Sequence, residues 1–121
     1  MSTEYVLEFV RAWQTRDLDV ILSYLTPDCF YHNVPIEPAI GVEAIRAQLE
    51  PFLLGCRDIE WVVHHIAAGS DGSVLTERTD RFRYDDRSVE IRVMGIFEFS
   101  DGRIRAWRDY FDMGQLNDQL A

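Results

Sequence analysis

Three short segments put polar side chains where a strand should be apolar inside. In Tyr31-His32-Asn33, a side-chain period of two turns Tyr31 and Asn33 to one face and His32 to the other. In Arg78-Thr79-Asp80, Arg78 and Asp80 share a face with Val74, Phe82 and Tyr84. In the segment from Trp107 to Phe111, Trp107, Asp109, Phe111 and, beyond it, Met113 share a face, while Arg108 and Tyr110 take the other. An inward-facing charge needs a partner, because an isolated buried ion is prohibitively costly. One arginine fork between two carboxylates satisfies Arg78, Asp80 and Asp109 together.

Two carboxylates sharing one cation tend to split their pKa values, so that one stays ionised and the other holds a proton. That supplies a general base and a general acid in one pocket. Opening an epoxide needs such a pair. The ring oxygen takes a proton as its C–O bond breaks, and a water loses one as it attacks from the opposite side. Ring strain supplies much of the driving force, so no metal is required. Tyr31 and Asn33 are placed to hold the water beside the base. The residues alone leave open which aspartate is the acid.

Each segment also has a plainer reading. An Arg-x-Asp in a strand is often a surface ion pair that contributes little. A Tyr-x-Asn before Pro35 is often a strand-end hydrogen-bonding feature, and a Trp107-type segment is often an apolar strand with an edge Asp. Their joint same-face geometry sets them apart. The three histidines carry less. His64 and His65, adjacent in a strand, are expected on opposite faces, and His32 points away from Tyr31. No spacing suggests a metal site, a Ser-His-Asp elbow or a Gly-rich phosphate loop. Gly69 and Gly72 fit a turn that uses positive φ.

The elements that must position these residues follow from periodicity. Thr3 is placed to cap a helix to about Thr15, with Val6, Phe9, Val10 and Trp13 on its apolar face. Asp17 opens a short second helix through Leu18, Ile21, Leu22 and Leu25, which Pro27 ends. Cys29 to Pro35 reads as a strand, residues 36–41 as a loop, and Val42 to about Leu54 as a third helix, with Pro51 marking a bend or an earlier end. Strands then run from Asp58 to Ala68, Ser73 to Tyr84, Ser88 to Phe99 and Arg103 to Met113, separated by polar turns. The tail after Gly114 reads as frayed or a short turn. Helices first and hairpins second argue α+β. The expected fold is a curved, mixed or antiparallel sheet packed on the N-terminal helices, forming a cone around a pocket.

With 121 residues, a single domain over 1–121 is expected, and 47% hydrophobic residues suffice for one core. The net charge of −9 argues against nucleic-acid phosphates and anionic membrane surfaces as partners. Cys29 and Cys56 have neither Cys-x-x-Cys nor zinc spacing, and read as reduced thiols of a cytoplasmic protein. No apolar run approaches the ~18 residues of a membrane span. Met1 to Glu8 show no signal-peptide pattern.

Over nearly its whole length the chain resembles the limonene-1,2-epoxide hydrolase family, within the nuclear transport factor 2-like (SnoaL-like) superfamily. The resemblance rests on the helical first third, on Tyr31-His32-Asn33-Val34-Pro35, on Glu77-Arg78-Thr79-Asp80, and on Trp107-Arg108-Asp109-Tyr110-Phe111-Asp112. It implies a cofactor-independent epoxide hydrolase giving a vicinal diol from a hydrophobic, cyclic or terpene-like epoxide in one push-pull step. Asp109 would be the base, Tyr31 and Asn33 the water holders, Asp80 the acid and Arg78 the bridge. Asp112, on the other face, stays outside the site. The expected pocket wall is Trp107, Phe111, Phe82, Leu49, Leu53 and Val74 (or Leu75, which the Arg78 face disfavours). The opposite sheet face, with Arg81, Glu90, Arg92, Met94, Ile96 and Glu98, mixes apolar and charged residues and fits either solvent or a dimer interface; the resemblance implies a homodimer formed through such a face. Two other readings share the fold. A ketosteroid-isomerase-like or polyketide-cyclase-like enzyme needs one carboxylate and no Arg78 bridge. A non-catalytic binding module would tolerate Asn at both positions 80 and 109.

Overall fold

A computed structural model describes residues 2–121. The order is α1 (Ser2–Ala12), a 3-10 turn (Trp13–Thr15), α2 (Leu18–Leu22), β1 (Leu25–Asn33), β2 (Ala39–Ile40), α3 (Val42–Gly55), β3 (Cys56–Ala68), β4 (Val74–Tyr84), β5 (Arg87–Ser100), β6 (Arg103–Tyr110) and α4 (Met113–Leu120). The strands form one curled, unclosed sheet in the order β2-β1-β6-β5-β4-β3. Three hairpin pairings are antiparallel, while β1 runs parallel to β6. The fold is α+β with a mixed sheet, as the pattern of elements indicates.

Burial drives the helical layer onto the sheet. Val6, Phe9, Val10 and Trp13 recur at helical spacing and are all buried. Phe9 packs edge-on to Trp107 at 5.1 Å and to Phe97 at 6.0 Å, joining α1 to β6 and β5. Asp17 caps α2, its Oδ1 accepting from the backbone N–H of Asp19 and Val20.

Several boundaries differ from the periodicity. Pro27 ends no helix: α2 stops at Leu22, and Leu25 and Pro27 belong to β1. The β1–β6 register shifts between Leu25 and Phe30, and such an irregularity tolerates a proline that cannot donate to the ladder. The loop at 36–41 contains the short strand β2. Pro51 lies inside α3 without ending it. β6 ends at Tyr110, so Phe111 and Met113 leave the sheet. Asp112 is exposed and caps α4 through the Gly114 N–H. The tail is a helix because β5 outruns β6. Past Met94 the β5 edge has no strand beside it, and Gln115 and Gln119 fill the gap. Gln115 accepts from the Arg92 N–H, and Gln119 accepts from the Glu90 N–H and donates to its carbonyl.

The two histidines are corrected by a bulge. The β3–β4 register shifts between Val63 and His65, placing His64 Nε2 2.8 Å from Thr79 Oγ1 and His65 Nε2 3.8 Å from Glu77. Thr79 and Glu77 share the outer face of β4, so both rings stand on one side. Of the two glycines in the β3–β4 turn, only Gly72 takes positive φ, at 86°.

Candidate active site

β4 alternates cleanly: Val74, Thr76, Arg78, Asp80 and Phe82 are buried, while Leu75, Glu77, Arg81 and Arg83 are exposed. Asp109 is buried on β6 and Tyr31 on β1. Register then aligns them. Thr76 lies beside Gly95, Gly95 beside Asp109, and Asp109 beside Asn33, in one row across four strands. Tyr31 lies beside Trp107 in the next row.

β4 and β6 are not neighbours, because β5 runs between them, so their backbones stand roughly 9–10 Å apart. The Arg78 guanidinium crosses that gap over Gly95. A Cβ there would stand 2.5 Å from Asp109 Oδ1 and 2.6 Å from Arg78 Nη1. Glycine is required at this place by a side chain passing over it, not by its own φ.

All five N–H donors of Arg78 are used. Nε and Nη2 donate to the two oxygens of Asp80, both at 2.9 Å. Nη1 and Nη2 donate to the two oxygens of Asp109 at 3.2 and 3.0 Å. The fifth goes from Nη1 to Thr76 Oγ1 at 3.1 Å. Trp61 covers the guanidinium, its ring centroid 4.5 Å from Cζ, and is itself stacked on Trp13 at 4.4 Å.

The cluster holds two potential anions against one cation. Burial pushes the Asp80 carboxyl above the ordinary carboxylate range; Arg78 pulls the other way, and the Asp109 charge adds to the rise. Burial opposes the charge on Arg78, but Asp109 and Asp80 outweigh it and hold the guanidinium protonated. Tyr31 is pushed well up by burial and by the Asp109 charge, so it remains a neutral phenol.

The cavity has a volume of about 190 Å³. Tyr31, Asn33, Asp80 and Asp109 reach it, with Arg78 buried behind the carboxylates. Of the expected wall, Leu49, Phe82 and Phe111 line it. Trp107, Val74 and Leu53 do not. Trp107 is fully buried behind Tyr31, stacked on it at 4.2 Å, and Val74 lies under Phe97 in the core. Leu53 is buried one helical turn beyond Leu49, while Gln48 and Phe52 face the cavity instead. Trp13, Trp61, Ile91, Val93 and Leu116 complete the lining. Ile91 and Val93 share the inward face of β5 and follow from alternation. Leu116 could not be found without α4. Thr76 was readable as two residues from Arg78 on its face, but nothing in the sequence marks its hydroxyl as the fifth acceptor.

Among the described residues, no group of three or more His, Cys, Asp or Glu is placed to hold a metal ion. Cys29 and Cys56 are unpaired and buried, and burial pushes their thiols up to about 12 and about 11. No helix among the described residues is long and apolar enough to cross a membrane.

A curled, unclosed sheet packed on helices, with a buried carboxylate pair facing the cavity between them, is the nuclear transport factor 2-like fold. The fold is shared with a SnoaL-like protein from Shewanella denitrificans, to which the chain is 17% identical with a TM-score of 0.86, over 97% of this chain and 94% of that one. The sequence narrows the class. The limonene-1,2-epoxide hydrolase catalytic domain matches residues 1–121. The chain is 39% identical over 106 residues to the epoxide hydrolase EphG of Mycobacterium tuberculosis, covering 87% of this chain and 69% of that one. It is 35% identical to the solved structure of a limonene-epoxide-hydrolase-like enzyme of M. tuberculosis, with a TM-score of 0.82 over 98% of this chain and 87% of that one. The chain belongs to the limonene-1,2-epoxide hydrolase family.

Proposed function

We propose that the chain hydrolyses a small, hydrophobic, cyclic or terpene-like epoxide to a vicinal diol in one step, without metal or cofactor. The observation that carries this reading is the Arg78 fork, which spends four of its five donors on Asp80 and Asp109. Both carboxylates keep access to the cavity. In the proposed reaction Asp109 takes a proton from a water that Tyr31 and Asn33 orient. The water oxygen bonds to one ring carbon from the face opposite the breaking C–O bond. The electron pair of that bond goes to the ring oxygen, which takes the Asp80 proton. The diol leaves with Asp109 protonated and Asp80 ionised, and one proton passed back through entering water restores both.

The cavity is smaller than the ~300–1,000 Å³ typical of sites for drug-sized ligands, which favours a compact ring substrate. A single-carboxylate isomerase or cyclase would make no use of the Arg78 bridge. Diol formation from a panel of hydrophobic epoxides, with Asp109→Asn and Asp80→Asn as controls, is the test. Wild type should form diol, and each variant should lose about 10²–10⁴-fold in kcat while remaining folded by circular dichroism. Full activity in either variant overturns the assigned roles.

The pH profile checks them separately. A raised Asp80 pKa keeps the acid protonated to higher pH than an ordinary carboxylate. The rate should therefore fall as pH rises through that value. A flat profile would contradict the assignment.

A homodimer is part of the same proposal. Met94, half exposed, stands on the outer sheet face with Ile96, among charges already paired within the chain, such as Arg81 with Glu90 and Arg108 with Glu98. A cytoplasmic setting is proposed on the two buried, unpaired thiols.

A further inference from the structure

The polar side chains at the cavity fall into two sets. Tyr31, Asn33, Asp80 and Asp109 stand on the sheet, and the proposed reaction uses all four. Gln48 stands apart. It reaches the cavity from α3, with Leu49 and Phe52 on either side of it, and is partly buried. Its amide makes no hydrogen bond among the described residues. Two N–H donors and a carbonyl acceptor are thus presented to the cavity from a wall that is otherwise apolar.

The charge of the site limits what they recognise. Among the described residues no Lys, Arg or His lines the cavity. Arg78, behind the carboxylates, has every donor engaged. A carboxylate or phosphate on the substrate would find no cation and would face Asp109. A neutral oxygen away from the epoxide, able to accept from or donate to an amide, would meet Gln48, the polar group of the lining that the proposed reaction does not use.

Resting on the epoxide hydrolase reading above, we propose that Gln48 is a specificity-determining residue, which selects epoxides carrying a neutral hydroxyl or carbonyl oxygen away from the ring. A fully apolar epoxide would leave the amide facing hydrocarbon, where an unanswered polar group costs binding. The oxygenated substrate answers it and gains its orientation in the cavity.

The experiment uses three epoxides on one skeleton: cyclohexene oxide bearing at carbon 4 an isopropyl, a 2-hydroxypropan-2-yl or an acetyl group. Wild type should prefer the hydroxyl or the acetyl compound over the isopropyl one by about fivefold to tenfold in kcat/KM, the range of one neutral hydrogen bond. Gln48→Leu should abolish or invert that preference while turning over the isopropyl compound at least as fast, which also shows that the variant is folded. Gln48→Glu, an acceptor only while ionised, should in that form keep the hydroxyl advantage and lose the acetyl one. A preference ratio unchanged in Gln48→Leu, or a wild type that favours the isopropyl compound, overturns the proposal. Diol from none of the three in wild type would instead overturn the hydrolase reading on which it rests.

Discussion

Arg78 and Arg81 stand three residues apart on β4, point to opposite faces, and each faces two carboxylates. Arg81 lies 3.8 Å from Glu60 and 3.4 Å from Glu90, with its side chain 49% exposed. Arg78 lies 2.9 and 3.0 Å from Asp80 and Asp109, with its side chain fully buried. The residue types are nearly the same and the energetics are opposite. Water screens the outer cluster, whose pairs contribute roughly 0–1 kcal/mol each. The inner cluster has been stripped of water at a cost of several kcal/mol per ion, and well-packed apolar residues would serve stability as well or better. What the inner arrangement adds is two carboxylates fixed in one geometry, one of them biased toward its neutral form. The comparison separates charges that decorate a fold from charges that a fold is built to hold.

Breaking the inner cluster should therefore have the largest effect. Arg78→Ala leaves two carboxylates buried without a cation and should destabilise by about 3–5 kcal/mol in urea denaturation. Arg78→Lys should not rescue activity, since an ammonium cannot supply five planar donors. An Arg78→Ala protein as stable as Arg81→Ala would collapse the distinction.

Thr76→Val is the sharper probe, because it removes one acceptor and keeps the shape. The fifth guanidinium donor would be left unanswered in the core, at a cost of about 1.5–3 kcal/mol for a bond to a charged group. Thr76→Ser should recover most of it. Gly95→Ala follows: its Cβ would intrude on both Asp109 and Arg78, so a loss of about 1–3 kcal/mol is expected, with kcat falling while KM changes little. Neutral behaviour in Gly95→Ala would show that the guanidinium has another route across β5.

Much of this is legible in the sequence. Period-two alternation placed Arg78, Asp80 and Asp109 inward, and helix-then-hairpin order indicated α+β, because both patterns are local. What escaped was nonlocal. Gly95 reads as an ordinary strand glycine until its neighbours on β4 and β6 are known to join above it. The last helix is short, and its place is set by Gln115 and Gln119, which complete the unpaired edge of β5. His64 and His65 share a face because of a bulge, which alternation cannot foresee. Trp107 was expected at the pocket since it faces inward, but Tyr31 is stacked over it and takes the surface.

The smallest expected effect is the control for the rest. In the monomer, where its side chain is 49% exposed, Arg81→Ala should change stability by no more than about 0.5 kcal/mol, the range of surface substitutions, and leave kcat unaltered. Whatever difference exists should shrink in high salt, because screening acts on exposed pairs. A loss above about 2 kcal/mol would mean that this face is not in water. In the proposed homodimer a second copy is what removes water from it, so the same variant should be measured by sedimentation over a dilution series. A cost that vanishes once the protein is dilute enough to be monomeric would assign Arg81 to the subunit interface. A cost that persists in the monomer would show that exposure alone does not distinguish the two arginines of β4.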